Sequence, residues 1–156
     1  MKPEQVEQLR DICLSGSVPT YFQDRNEAIV ALLYDAGLRV GKVCALDVDH
    51  VELEAGTVYL ANDTVRLLRR YLRDRWKDTD ALFPTRSSDR LTTRSLQRLV
   101  EKPATEDDVR THVAGGDIGD FKDVTLHTLR HSATYRIISL DDGCLKDVQL
   151  WLLHAN

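Results

Sequence analysis

Apolar residues recur at three- and four-residue spacing along most of the chain, and that period predicts a helical protein. Val6, Leu9, Ile12 and Cys13 follow Pro3 and give a first helix ending around Ser15-Gly16. Asp24 is a natural N-cap for a second, in which Ala28, Ile29, Leu32 and Leu33 form the buried stripe and Gly37 provides the stop. A short helical piece follows through Val43, Cys44 and Leu46. From His50 to Leu60 the period switches to two around Gly56, which reads as a small antiparallel hairpin.

Asn62 or Asp63 caps the next helix, with Leu68, Tyr71, Leu72 and Trp76 on one face and Arg66, Arg69, Arg70 and Arg73 on another. After the Phe83-Pro84 loop, Thr92 to Glu101 reads as a helix with Leu96, Leu99 and Val100 inward and Arg94 and Arg98 outward. Residues 102–123, with an acidic Glu106-Asp107-Asp108 cluster and a Gly115-Gly116 break, suggest a short helix in a mobile connection. A helix from about Leu126 to Leu140 and a last one carrying Leu145, Val148, Leu152 and Leu153 complete the pattern. The predicted class is mainly α with a small antiparallel β-hairpin or sheet, an α+β arrangement filling 1–156 as a single domain.

Charge changes the picture by its placement. The net charge of −4 argues against nucleic acid, yet residues 1–65 carry 5 basic and 11 acidic groups, residues 66–98 carry 10 and 4, and residues 99–156 carry 6 and 10. The middle segment is therefore net +6 between acidic flanks, a pattern compatible with DNA or with a plain solvated face. Fifteen Arg against 6 Lys, and 18 Asp against 7 Glu, hint at a GC-rich or salt-adapted source. Cys13, Cys44 and Cys144 are odd in number and widely spaced, so they read as small buried hydrophobes rather than a zinc or redox motif. No apolar run approaches a membrane span and Met1 to Gln5 lacks a signal-peptide core, so the expected location is cytoplasmic, with no membrane partner.

The candidate chemistry lies in His127-Thr128-Leu129-Arg130-His131. On a helix His127, Arg130 and Thr134 share a polar stripe, while Leu129, Ala133, Ile137 and Leu140 share the buried one. A group that carries protons and a group that grips phosphate thus stand one turn apart. On spacing alone a solvated polar face is the more usual explanation of such a stripe. A third reading takes His127 and His131, at i and i+4, as metal ligands; the helix lacks the Glu of an HExxH motif, and Arg130 would repel a cation.

Three segments then resemble the catalytic domain of the tyrosine recombinases, the phage integrase family, in the right order. They are Leu32-Leu33-Tyr34-Asp35-Ala36-Gly37-Leu38-Arg39-Val40, His127 through Thr134, and Leu152-Leu153-His154-Ala155-Asn156. The likeness runs from about residue 20 to the end. It implies double-stranded DNA as partner, a recombinase homo- or hetero-oligomer, and strand cleavage and rejoining through a 3'-phosphotyrosine with no metal and no nucleotide cofactor. It assigns Arg39 and Arg130 to the non-bridging phosphate oxygens, which two guanidinium forks can bind as charge grows on them. His127 takes the proton-handling role, His154 donates a hydrogen bond to the same phosphate, and His131 supports the helix.

Departures from the family pattern set further expectations. The nucleophilic tyrosine follows the second histidine by roughly nine residues in relatives, whereas Tyr21, Tyr34, Tyr59, Tyr71 and Tyr135 all lie upstream of His154. The hairpin lysine is missing where Tyr59-Leu60 runs into Ala61-Asn62-Asp63, Lys42 stands where relatives have an acid, and Leu153 where they have glycine. The residues before the likeness cannot make the N-terminal core-binding domain of relatives. These features predict a catalytic-like domain ending before its nucleophile: a recombinase-type phosphate pocket incomplete for cleavage, or, as the alternative, a non-catalytic DNA-binding remnant that regulates or partners an intact recombinase.

Overall fold

The computed structural model describes residues 1–51, 60–107, 109–110 and 124–139, and within the last helix side chains only as far as Arg136. Six α-helices order this part of the chain: α1 (Pro3–Cys13), α2 (Thr20–Ala36), α3 (Val40–Ala45), α4 (Asn62–Asp74), α5 (Thr93–Glu106) and α6 (Leu126–Ser139). A 3-10 turn, Val48–His50, follows α3. Asp47 and Ala81 form an isolated antiparallel bridge, and no strand occurs among the described residues. The hairpin expected at 50–60 lies largely outside them, as do the helix expected at 145–153 and most of the connection at 102–123.

The central element is α2. Ala28 to Leu33 are all buried, leaving no broad solvent face, because α1, α4 and α6 each pack against this helix. Its start departs from expectation: the helix begins at Thr20, after Pro19 in an extended conformation, and not at Asp24. Proline cannot continue a helix backwards but fits its threshold, and Asp24 is spent on an ion pair with Arg70 at 2.9 Å. The other end matches expectation. Gly37 adopts φ 54° and donates its N–H to the Leu33 carbonyl at 3.0 Å, a left-handed stop that other residues enter only at a cost.

α5 also outruns its expected end at Glu101. Pro103 lies inside the helix, yet Asp107 N–H reaches the Pro103 carbonyl and Val109 N–H the Ala104 carbonyl, both at 3.0 Å. Burial of Val100, Ala104 and Val109 holds the last turn against the loss of one helical hydrogen bond. Gln5 of α1 donates to the Arg110 carbonyl and ties the first helix to this exit.

The predicted core faces are recovered as far as the described side chains reach; Ile137 and Leu140 of the α6 stripe lie outside them. Leu68 and Tyr71 of α4 are buried, with Leu72 and Trp76 half-buried, and Tyr71 stacks on Phe83 while its hydroxyl donates to the Leu82 carbonyl at 2.8 Å. Leu96 and Val100 of α5 and Leu129 and Ala133 of α6 face inward, whereas Arg94 and Arg98 are exposed. Cys13 is buried as expected, and Cys44 is half-buried. No described helix is long and apolar enough to cross a membrane.

Candidate phosphate-binding site

The Gly37 stop delivers the chain to Leu38, which is buried, and Arg39, which is exposed. Arg39 is the N-cap of α3, with φ −67° and ψ 144°, and its carbonyl accepts from Lys42 and Val43 N–H at 2.9 and 3.0 Å. Its backbone is thereby fixed on one side by a buried leucine and on the other by a helical turn. Its side chain is left to project.

Arg130 comes to the same place on α6. Thr125 opens that helix by accepting the Thr128 N–H on its hydroxyl at 3.2 Å, and Leu126, Leu129 and Ala133 seat it in the core. The Arg130 side chain is half-buried, and its Nη1 is fully covered with no hydrogen-bond partner among the described residues. Its pKa is lowered, first by burial and then by the charge of Arg39. Two guanidiniums thus repel each other across a site where one has a donor hidden from water and unused. Arg10 and Arg70 also carry a covered, unused Nε, but each is ion-paired to Glu27 through another nitrogen, whereas Arg130 has no ion pair among the described residues, so an anion would complete it.

His127 precedes Arg130 by one turn and is exposed. Its Nε2 lies 2.7 Å from Nε2 of His131, with the rings perpendicular and their centroids 4.1 Å apart. One imidazole donates to the other, so His131 contacts the candidate proton carrier directly, an interaction that spacing alone left open between support and ligation. Among the described residues no group of three or more His, Cys, Asp or Glu could hold a metal ion. His154, the fourth residue expected at the site, lies outside the described residues.

The basic residues expected to face DNA divide by helix. α5 packs on α3, the helix that Arg39 opens, so exposed Arg94 and Arg98 belong to an element adjoining the site. Arg66, Arg69, Arg70 and Arg73 of α4 line a cleft of about 620 Å³ together with Asn62 and Val65. That cleft is less positive than the sequence suggests. Arg66 pairs with Asp63 at 2.5 Å, Arg73 with Asp74 at 2.8 Å, and Arg70 with both Asp24 and the buried Glu27.

Sequence reasoning missed Asp35 and Arg136. Asp35 is only 5% exposed; its Oδ2 accepts from Ala61 N–H at 2.5 Å, and its Oδ1 and carbonyl accept from Arg136 Nη2 at 2.9 and 3.2 Å. The signal was present: an aspartate within the apolar run Ala31 to Ala36 of a buried helix demands a partner.

Comparison with known proteins gives the site its context. The model of the phage integrase family matches residues 1–156. Tyrosine recombinase XerC of Escherichia coli O1:K1 is 29% identical over 148 residues, covering 85% of this chain and 45% of the relative, and XerC of Escherichia coli strain K12 / DH10B matches to the same extent. The chain therefore spans less than half the length of these relatives. Two solved structures share the fold across 100% of this chain: XerA recombinase, with TM-score 0.77, 23% identity and 56% of that chain covered, and XerH bound to its difH substrate before cleavage, with TM-score 0.74, 21% identity and 47% covered. By the family match over its full length, this chain belongs to the phage integrase family, with the fold of a tyrosine recombinase catalytic domain.

Proposed function

We propose that this chain holds a phosphodiester of double-stranded DNA in a pocket formed by Arg39, His127 and Arg130, completed by His154. The observation that carries the reading is the Nη1 of Arg130, covered and without a partner among the described residues, beside the charge of Arg39. An oxyanion placed there accepts the idle donor and cancels the repulsion between the two guanidiniums, so the site gains more from a phosphate than an exposed arginine pair would. Arg94 and Arg98 would steer the duplex toward it, while Arg66, Arg70 and Arg73 of α4, each already paired with a carboxylate, would add little beside Arg69. The pocket serves site-specific recombination, and the family reaction supplies the chemical context: metal-free cleavage through a 3'-phosphotyrosine. The reading for this segment is phosphate holding without cleavage.

Fluorescence anisotropy with a labelled duplex tests the proposal. Arg39→Ala should lose at least about tenfold in affinity, the worth of a charge-assisted phosphate contact, whereas Arg86→Ala, an exposed control, should lose no more than a few-fold. Equal losses would leave only a diffuse basic surface. A covalent adduct trapped by the chain on a nicked suicide duplex would overturn the non-cleaving part.

A further inference from the structure

We infer that Asp35 and Arg136 form a positioning brace that sets Arg130 against Arg39, an inference that rests on the phosphate-holding reading of that pocket. Asp35 lies in the last turn of α2, four residues before Arg39. Arg136 lies six residues beyond Arg130 on α6, about 9 Å along the helix axis at 1.5 Å per residue. The Arg136 guanidinium donates to both the Asp35 carboxylate and the Asp35 carbonyl, and lies 5.6 Å from the centre of the Tyr34 ring. It therefore grips the C-terminal turn of α2 at three places rather than making a single surface ion pair. The other carboxylate oxygen accepts the Ala61 N–H at the threshold of α4, so one buried acid joins three helices.

The geometry explains why the brace acts on the pocket. Arg39 and Arg130 repel each other, and burial adds to the cost of bringing Arg130 there. Apolar packing of Leu129 and Ala133 holds α6 on α2 but is tolerant of small slides and rotations. A charged contact in which Nη2 is shared between a carboxylate oxygen and the carbonyl of the same residue is directional, and it is placed between the two arginines along the connected path α6, Arg136, Asp35, Gly37, Arg39. Asp35 and Arg136 touch no phosphate in this arrangement. They act through Arg130 and Arg39.

Two readouts test the brace. The first is the distance between nitroxide labels at Lys42 on α3 and Tyr135 on α6, both exposed, in a background with the three cysteines changed to alanine. Arg136→Met should broaden or displace that distance distribution, and Arg136→Lys, which keeps the charge, should restore part of it. The second is a mutant cycle on DNA affinity: Arg130→Ala should lose about tenfold or more in the native background and less than about threefold beside Arg136→Met. If Arg136→Met leaves too little folded protein, the double variant Asp35→Asn with Arg136→Met removes both charges and replaces it in each measurement. An unchanged distance distribution overturns the brace, as does an Arg130 contribution that persists in full without Arg136. A distance that shifts while Arg130→Ala has no effect on DNA in the native background supports the brace and overturns the phosphate reading instead.

Discussion

Replacing Arg130 by methionine should stabilise the free protein and cripple its grip on DNA. In the native chain Nη1 is covered without a partner among the described residues, and an unsatisfied buried donor costs about 1–3 kcal/mol, more for a charged group. The guanidinium as a whole is only half-buried, so solvent screens part of that penalty and of the repulsion from Arg39. A net relief of about 1 kcal/mol remains after this discount. Methionine keeps most of the apolar stem, so the packing beside Leu129 and Ala133 is retained. For a domain of this size the gain corresponds to a rise of about 2–4 °C in Tm.

Binding should move the other way. A charge-assisted contact to phosphate is worth about 1.5–3 kcal/mol, which converts to a loss of roughly 10- to 150-fold in affinity. Differential scanning fluorimetry without and with 50 mM sulfate, alongside duplex anisotropy, separates the two effects. The variant should melt higher in the absence of anion, and sulfate should raise the Tm of the native chain more than that of the variant. A variant that melts lower in both conditions would show that Arg130 is a structural arginine. An unchanged DNA affinity would remove it from the site.

Arg70 and Arg66 should separate by role even though both line the α4 cleft. Arg70→Met leaves buried Glu27 with Arg10 as its remaining ion partner and should cost about 1–2 kcal/mol in urea unfolding, below the full price of a broken buried pair because Arg70 is 38% exposed. Arg66→Met, on an exposed pair with Asp63, should change stability by less than about 0.5 kcal/mol, and equal losses would contradict the assignment. Burial pushes the Cys13 thiol up to about 12, so the folded state keeps a proton that the unfolded thiol releases near pH 9, and stability must fall as pH rises from 9 toward 12. Between pH 8 and 10 the native chain should lose about 1 kcal/mol more than Cys13→Ala in urea unfolding, and matching losses would place the alkaline sensitivity elsewhere.

Local periodicity was enough to find every described helix, because burial of one stripe per helix is a short-range property of the sequence. Its failures came where a competing local interaction took over. Asp24 looked like a cap and became the partner of Arg70, leaving the start of α2 to Pro19. The expected end at Glu101 gave way because the packing of Val100 and Ala104 carried α5 past it and past Pro103. At the site, the segments around Arg39 and Arg130 were legible as motifs, yet their juxtaposition depends on α6 lying across α2, a long-range contact no spacing encodes. Asp35 and Arg136 are 101 positions apart in the chain, and a lone acid in an apolar run announces only that some partner exists. The charge of 66–98 was read correctly as a sum, but its field was overestimated because Asp24, Glu27, Asp47 and Asp63, which pair with its arginines, come from the acidic N-terminal part.

That redistribution of charge governs how DNA binding should respond to salt. Were all ten basic groups of 66–98 to neutralise phosphates, log K would fall against log salt with a slope of about −9. Arg66, Arg70, Arg73, Arg75, Lys77 and Arg90 each have a carboxylate partner, and such groups release few counterions when a phosphate arrives because they were already compensated. Of the other four, Arg69 and Arg86 lie on elements away from the pocket, whereas Arg94 and Arg98 stand on α5 beside it; with Arg39 and Arg130 these two make a set of about four, for which the same rule gives a slope near −4. Anisotropy titrations between 50 and 400 mM KCl measure it directly. Arg130→Met should flatten the slope by about one, whereas Arg73→Met should leave it nearly unchanged. A slope steeper than about −7, or one equally sensitive to both variants, would mean that the α4 pairs open on binding and that the basic segment, not the pocket, carries the contact.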